Sequence, residues 1–332
     1  MSPKRLFCAA VWCLCLAGAA ALAQTPAPAP TQMAPTAAPA DEPTQMPDMP
    51  GMESSAPEAP APVAAPAQAP APAQMAPAAA LPRPVSSATI PAPLPPVPMS
   101  GPVRNVVLVH GAFVDGSSWN GVVAQLQRKG YHVSSVQNPL TSLADDVAAT
   151  RRVLARQDGP TMLVGHSWGG VVITEAGANA PNVAGLVYVA AIAPDLHESA
   201  MDLLKQGAPM PAGQSMIEDP GGFLWLDRTK YHADFAADVP ENLTRVLASA
   251  QQPIAKKAFG EKVSHVAWRE KPTWYVLTTR DQAVSPDLQR SMAERMNAKV
   301  TPIASSHLAP VSHAAAIAEV IDHAARELSR QQ

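Results

Sequence analysis

Gly165-His166-Ser167-Trp168-Gly169-Gly170 places a serine among glycines directly after the apolar run Thr161 to Val164 and directly before a helical segment. On a tight strand-to-helix turn a serine is held in a strained backbone conformation, and small neighbours let the two elements close without a Cβ collision. The helix start then offers free N–H groups and a positive dipole end to an oxyanion forming beside the hydroxyl. That chemistry is nucleophilic acyl transfer, and it needs a base. Of nine histidines, His307 is best placed, because Ser305-Ser306-His307 falls in the loop between the last predicted strand and the last predicted helix. His313 and His323 sit on that helix and read as surface or packing residues. A carboxylate must fix the tautomer of the base. Asp281, in the turn Thr279-Arg280-Asp281-Gln282, gives the chain order Ser, Asp, His. Asp195, after the preceding strand, is its rival, with Asp287 behind both.

A second feature is the run Val106-Val107-Leu108-Val109 followed by His110-Gly111-Ala112-Phe113. A strand ending this way exposes amides at the carboxyl edge of a sheet, so the backbone N–H groups of Ala112 and Trp168 are the expected oxyanion donors. His110 reads as a brace for this loop.

The elements that must position these residues alternate in the manner of a parallel sheet wrapped by helices. Strands are expected at Val103 to Val109, Tyr131 to Val136, Thr161 to Val164, Val183 to Ala190, Thr273 to Thr278 and Val300 to Ile303. Helices are expected at Ser118 to Lys129, Leu143 to Ala155, Val171 to Ala178, Pro286 to Met296 and Val311 to Arg326. Between Pro194 and Lys271 the alternation stops and a region of helical character takes over. An insertion of about 195–270, at the end of the sheet where ligands bind, is most simply a cap over the site.

The remaining third of the chain has a different composition. Lys4 and Arg5 precede an apolar run that ends in Ala21-Leu22-Ala23, so residues 1–23 have the form of a signal peptide and the mature chain is expected to be exported, periplasmic or secreted. Contact with a membrane is expected only through that peptide before cleavage. Most of the 37 prolines fall within residues 24–102, which lack the apolar surface to offset ordering entropy and read as a disordered linker. The folded domain is expected over 103–332. Cys8, Cys13 and Cys15 all lie in the leader, leaving no thiol for disulfide, nucleophile or metal in the mature chain. Loss of Lys4 and Arg5 moves the formal charge from −3 (24 − 27) to −5 (22 − 27), and a weakly acidic chain without basic clusters gives no basis for nucleic-acid binding.

At these residues the chain resembles the serine α/β-hydrolase superfamily, from about Val103 to the C-terminus, on His110-Gly111-Ala112, Gly165 to Gly170, Asp281 and Ser306-His307. Within it the chain is most similar to the compact capped group of plant methylesterases, hydroxynitrile lyases and bacterial "alpha/beta hydrolase" proteins. The stretch Phe235 to Pro240 and the stretch Ser306 to His313 add to that likeness. The resemblance implies an α/β-hydrolase fold with a mostly parallel sheet, helices on both faces and a small helical cap. It also implies a catalytic serine and no cofactor, but it fixes no substrate; the residues themselves point to a small-molecule carboxylic ester, with no metal expected. Hydroxynitrile lyases of the group carry a lysine directly after the catalytic histidine, where this chain has Leu308, and haloalkane dehalogenases need an aspartate nucleophile. Lactonase, thioesterase and perhydrolase activities share the same triad. A non-catalytic ligand-binding receptor is the alternative of a different class, and a damaged triad would mark it; all three positions are intact.

Three further signals weigh less. Phe223, Trp225, Tyr231, Phe235 and Trp268 could line a pocket, but a cap must also bury its own apolar face. Tyr231, His232 and Asp234 have the types of metal ligands without a partner cluster. Met46, Met49 and Met52 recur every third residue, a spacing that soft Cu(I) could use, although a Pro/Met-rich tract drifts to such patterns by composition.

Overall fold

The computed structural model describes residues 101–331. The leader, the proline-rich linker and the Met46, Met49 and Met52 repeat lie outside the described residues.

Six parallel strands form the main sheet: β1 (Asn105–Val109), β2 (His132–Val136), β3 (Thr161–His166), β4 (Val183–Val189), β8 (Thr273–Thr278) and β9 (Lys299–Ile303). Their order is β2-β1-β3-β4-β8-β9. Three more strands, β5 (Met216–Glu218), β6 (Phe223–Leu226) and β7 (Ile254–Ala255), lie in the insertion between β4 and β8. The helices are α1 (Asn120–Arg128), α2 (Leu143–Leu154), α3 (Trp168–Ala176), α4 (Ala200–Leu204), α5 (Pro211–Gln214), α6 (Tyr231–Phe235), α7 (Glu241–Ala250), α8 (Pro286–Arg295), α9 (Ala309–Ser312) and α10 (Ala314–Ser329).

The period-2 geometry of a strand sorts the core into two sides. Val106 and Leu108 pack with Trp119, Val122 and Leu126 around α1 and with Ile317 and Ile321 of α10. Val107 and Val109 face the other way and join Val147 of α2 and Val171 and Val172 of α3. Both faces of β1, β3, β4 and β8 are therefore covered, which is why these strands read as continuous apolar runs. Each such side chain contributes about 1.5–3 kcal/mol through burial.

The strand order reverses between β1 and β3, so the crevice outside their carboxyl ends is where a fold of this kind opens a ligand site. Ala112 and Ser167 follow those two strands.

Two expectations need correction. The insertion carries helices, but β5, β6 and β7 also pair into a small antiparallel sheet, so it is not purely helical. Strands of two to four residues have no room to display a period, which hides them in sequence. The last helix is broken as well: His313 leaves helical geometry (φ −127°, ψ 36°) between α9 and α10. The Ser312 hydroxyl donates to the Leu308 carbonyl, the kind of local bond that competes with helix continuation.

Candidate active site

Ser167 sits between β3 and α3 with φ 52° and ψ −121°, a strained conformation for a residue with a Cβ. Its backbone is pinned on both sides, since its N–H donates to Val189 O (3.2 Å) and its carbonyl accepts from Ile192 N–H (3.1 Å). The loop after β1 presses against it closely. A Cβ placed on Gly111 would lie 2.7 Å from Ser167 Cβ, so only glycine lets the two strand ends approach this far. The tight turn follows from the same requirement at Gly169, whose Cβ would strike the Val109 carbonyl.

His307 follows β9 and is buried. Its Nδ1–H donates to Asp281 Oδ2 at 2.7 Å. That bond leaves Nε2 as the free lone pair of the ring, and Nε2 has no hydrogen-bond partner among the described residues. Two rings pack against the imidazole at a tilt: Phe235 of α6 and His166, each with its centroid 4.9 Å away. His166, the residue before Ser167, donates from Nε2 to His307 O at 3.0 Å. Burial, with the neighbouring His307, lowers His166 to about 3, so its ring stays neutral.

Asp281 lies on the turn after β8 and is 1% exposed. Thr278 Oγ1 (2.7 Å), Gln289 Nε2 (2.9 Å) and the amides of Ala283 (2.8 Å) and Val284 (2.9 Å) all donate to it besides His307. Burial alone would push its carboxyl up, but the His307 charge and bond and those amides together hold it below the usual carboxylate range. The rivals are placed elsewhere. Asp195 pairs with Arg269 at 2.5 Å, and Asp287 pairs with Arg290 with almost all of its side chain in solvent. The structure thus brings Asp281, and neither rival, to His307.

Directly after Ser167, Trp168 opens α3, where the first amides have no intrahelical acceptor. The Ala112 amide enters no hydrogen bond among the described residues. His110 is fully buried; its Nδ1–H donates to Gly111 O (2.9 Å) while Nε2 accepts from Asn138 N–H (3.0 Å). Nδ1 thus steadies the loop after β1 itself, and Nε2 joins it to the loop after β2, with both ring nitrogens engaged.

The cap aromatics divide. Phe235 packs on His307, and Tyr231 donates from its hydroxyl to Phe113 O at 3.1 Å. Trp268 and Trp225 are ties, bonding Pro194 O and Asp219 Oδ2. A cavity of about 510 Å³ lies among Met201, Leu204, Met210, Leu224, Phe259 and Leu288, next to the contact of Phe259 with Trp168 (ring centroids 5.6 Å). A larger open groove of about 850 Å³ along α2 has Arg151, Arg152 and Lys262 on its walls, and neither space is lined by Ser167, His307, Ala112 or Trp168. Tyr231, His232 and Asp234 do not converge: they bond Phe113, Thr244 and Ser215 respectively.

Sequence reasoning missed several residues. Asp238, in the loop between α6 and α7, accepts from Ser305 Oγ (2.8 Å), Ser306 N–H (3.1 Å) and Ser306 Oγ, tying the cap to the loop that carries His307. Gln289 of α8 donates to Asp281 across the interior, and Asp146 of α2 accepts from the Trp168 indole. Asp238 lies within the stretch Phe235 to Pro240 that added to the family likeness, without its tie to the His307 loop being read there, and Asp146 shows only as the second acid in a helix first turn beside an apolar residue.

The alpha/beta hydrolase family model matches residues 106–320. A carbendazim-hydrolysing esterase of Nocardioides sp. is 30% identical over 170 residues, covering 47% of this chain and 68% of that protein. The crystal structure of the pyrethroid hydrolase PytH superposes with TM-score 0.61 at 24% identity, over 68% of this chain and 98% of that one. The methylesterase MES16 from Arabidopsis superposes with TM-score 0.56 at 18% identity, over 67% and 98%.

Proposed function

The chain belongs to the alpha/beta hydrolase family, and from that premise we propose that it is a carboxylic ester hydrolase working through a serine acyl-enzyme. Ser167 Oγ attacks the carbonyl carbon while its proton passes to His307 Nε2. The new oxyanion accepts hydrogen bonds from the Ala112 and Trp168 amides. The bond to the alcohol oxygen then breaks, and His307 returns its proton to that oxygen. Water repeats the sequence on the acyl-enzyme, releasing the acid and restoring the serine. Asp281 keeps Nδ1 protonated and steadies the imidazolium.

The observation that carries this reading is the buried 2.7 Å bond between His307 and Asp281, which leaves Nε2 unpartnered beside the strained Ser167 turn. Relatives that are esterases and hydrolases support it. The compact insertion and its modest aromatic content favour esters with a short acyl or small aryl group over long lipids. The basic, apolar start of the chain supports export with removal of residues 1–23, which the intact mass of envelope protein tests.

Labelling with a fluorophosphonate, followed by a series of p-nitrophenyl esters of increasing length, tests the reading. Stoichiometric label on Ser167 and loss of both label and turnover in Ser167→Ala are expected. Wild-type turnover in Ser167→Ala would overturn it.

A further inference from the structure

Asp146 is fully buried in the first turn of α2, yet the proposed reaction gives its carboxylate no step. The helix is built to place it there. Ser142 caps α2 by accepting from Asp145 N–H (3.1 Å), which sets the first turn so that Asp145 faces outward and Asp146 inward toward α3. Asp146 Oδ2 accepts from the Trp168 indole Nε1–H at 2.7 Å, and Oδ1 accepts from Leu140 N–H at 2.8 Å. Trp168 is itself fully buried, held between this carboxylate and the Phe259 ring. Leu140 in turn accepts at its carbonyl from Ala255 N–H of β7 (2.8 Å). One carboxylate thus ties the residue after Ser167 to the loop on which the cap's return strand is seated.

We propose that Asp146 is a positioning residue for the oxyanion side of the site: by holding the Trp168 indole it fixes the peptide that presents the Trp168 amide beside Ser167. The inference rests on the serine mechanism proposed above and names a residue that sets its oxyanion geometry. The physical reason is the narrow tolerance of a hydrogen bond to a developing charge, which weakens steeply as the donor tilts or withdraws. A buried indole with its N–H satisfied has one comfortable orientation, and the backbone of a helix-opening residue moves with it.

The environment also gives a direct readout of the contact between this carboxylate and the indole. Burial pushes the Asp146 carboxyl up to about 6 against the two donors that favour its charge, and the nearby carboxylates of Asp145 and Glu261 add to the rise. The carboxyl therefore titrates against the indole within an accessible pH range.

The test uses the full chain with Asp146→Asn, Trp168→Phe, the double variant and Ser167→Ala. Asp146→Asn should lower kcat for a p-nitrophenyl ester roughly 10- to 100-fold with KM changed less than about threefold, the split expected when only transition-state stabilisation is lost. In the Trp168→Phe background the same change should cost less than about twofold, because the group it acts through is gone. Tryptophan emission of the wild type should change between about pH 5 and 7.5 in a step absent from both Trp168→Phe and Asp146→Asn. Wild-type kcat in Asp146→Asn, an equal loss in both backgrounds, or a loss confined to KM would each overturn the proposal. Should Asp146→Asn fail to fold, Trp168→Phe decides through the same split: it removes the indole that Asp146 holds and should lower kcat with KM little changed, and wild-type kcat in that variant would overturn the proposal. Ser167→Ala separates the two readings: it should keep the emission step, and turnover by that variant would sink the serine mechanism while leaving the emission test standing.

Discussion

Asp281, on the turn after β8 and bonded to His307, and Asp146, in the first turn of α2 and bonded to the Trp168 indole, are both buried carboxylates, yet their surroundings drive their protons in opposite directions. Asp281 receives bonds from His307, Thr278, Gln289 and two backbone amides, and one of those donors can carry a positive charge. Asp146 receives two bonds from neutral donors and has two other carboxylates nearby. Burial penalises the charge of both; the first is held below the usual range and the second rises to about 6. The difference teaches that burial does not fix the state of an acid beside this site. The number and charge of the donors turned toward it do.

The strongest way to break the contrast is to remove what separates the two acids. Under the proposed mechanism His307→Ala takes from Asp281 the donor that becomes cationic on accepting the serine proton, and from Ser167 its base, so kcat should fall on the order of 10⁴–10⁶, as in Ser167→Ala, because a triad acts as a unit. Steady-state kinetics on p-nitrophenyl acetate measures it; a loss below tenfold would contradict the assignment of the base.

Asp281→Asn should cost somewhat less, about 10²–10⁴ in kcat, since the imidazole then loses its orienting acceptor. Asp195→Asn should stay within about threefold, because Asp195 is engaged with Arg269 and does not reach His307. If the Asp195 variant proved the crippled one, the acid would have to be reassigned.

The pH dependence of stability sharpens the comparison further, with the sign worked out for each acid. Asp146 has a folded pKa raised from 3.8 to about 6, so its contribution is fully present below about pH 4 and is lost as pH rises through about 6. At about 1.36 kcal/mol per pKa unit this amounts to at most about 3 kcal/mol. Asp281 has a lowered folded pKa, so its contribution is present above the unfolded carboxylate pKa and is lost as pH falls through the folded one. Denaturant unfolding at pH 4 and pH 7 should therefore show wild type losing about 2–3 kcal/mol relative to Asp146→Asn on going to the higher pH. A pH-independent difference between the two proteins would contradict a raised pKa.

The smallest effect concerns the displaced rival. Arg269→Ala removes the partner of Asp195 from a half-exposed pair and should cost less than about 1 kcal/mol, read as a shift in denaturant midpoint. A cost of several kcal/mol would mean that this pair braces the loop after β4.

Much of the scaffold was legible because it obeys local rules. The strand Thr273 to Thr278 was read to the residue, and the remaining main-sheet strands and α1, α2 and α8 to within a few residues at each end, since buried parallel strands and amphipathic helices write their periods into the chain. The short strands of the insertion and the break at His313 were not legible. Their pairing and local side-chain bonds involve too few residues to leave a period. The same distinction holds at the site. Glycines and a serine on a strand-to-helix turn announce themselves, whereas Asp238 and Asp146 act on residues well away in sequence, and Gln289 reaches Asp281 only once the turn between β8 and α8 has folded back.

By itself, then, the sequence determined the turn that strains Ser167, the sheet-forming runs that carry it, the chain order Ser, Asp, His and the composition that separates residues 1–102 from residues 103–332. Each depends on neighbours within a few residues. The tertiary structure decided which acid meets His307 and which ring faces support it, and it set the charge preferred by each buried carboxylate. It also decided that the ends of β1 and β3 stand side by side at the reversal of strand order. These outcomes belong to groups up to 141 residues apart, as His166 and His307 are, and no local pattern encodes the distance between such groups until the sheet and the insertion have packed.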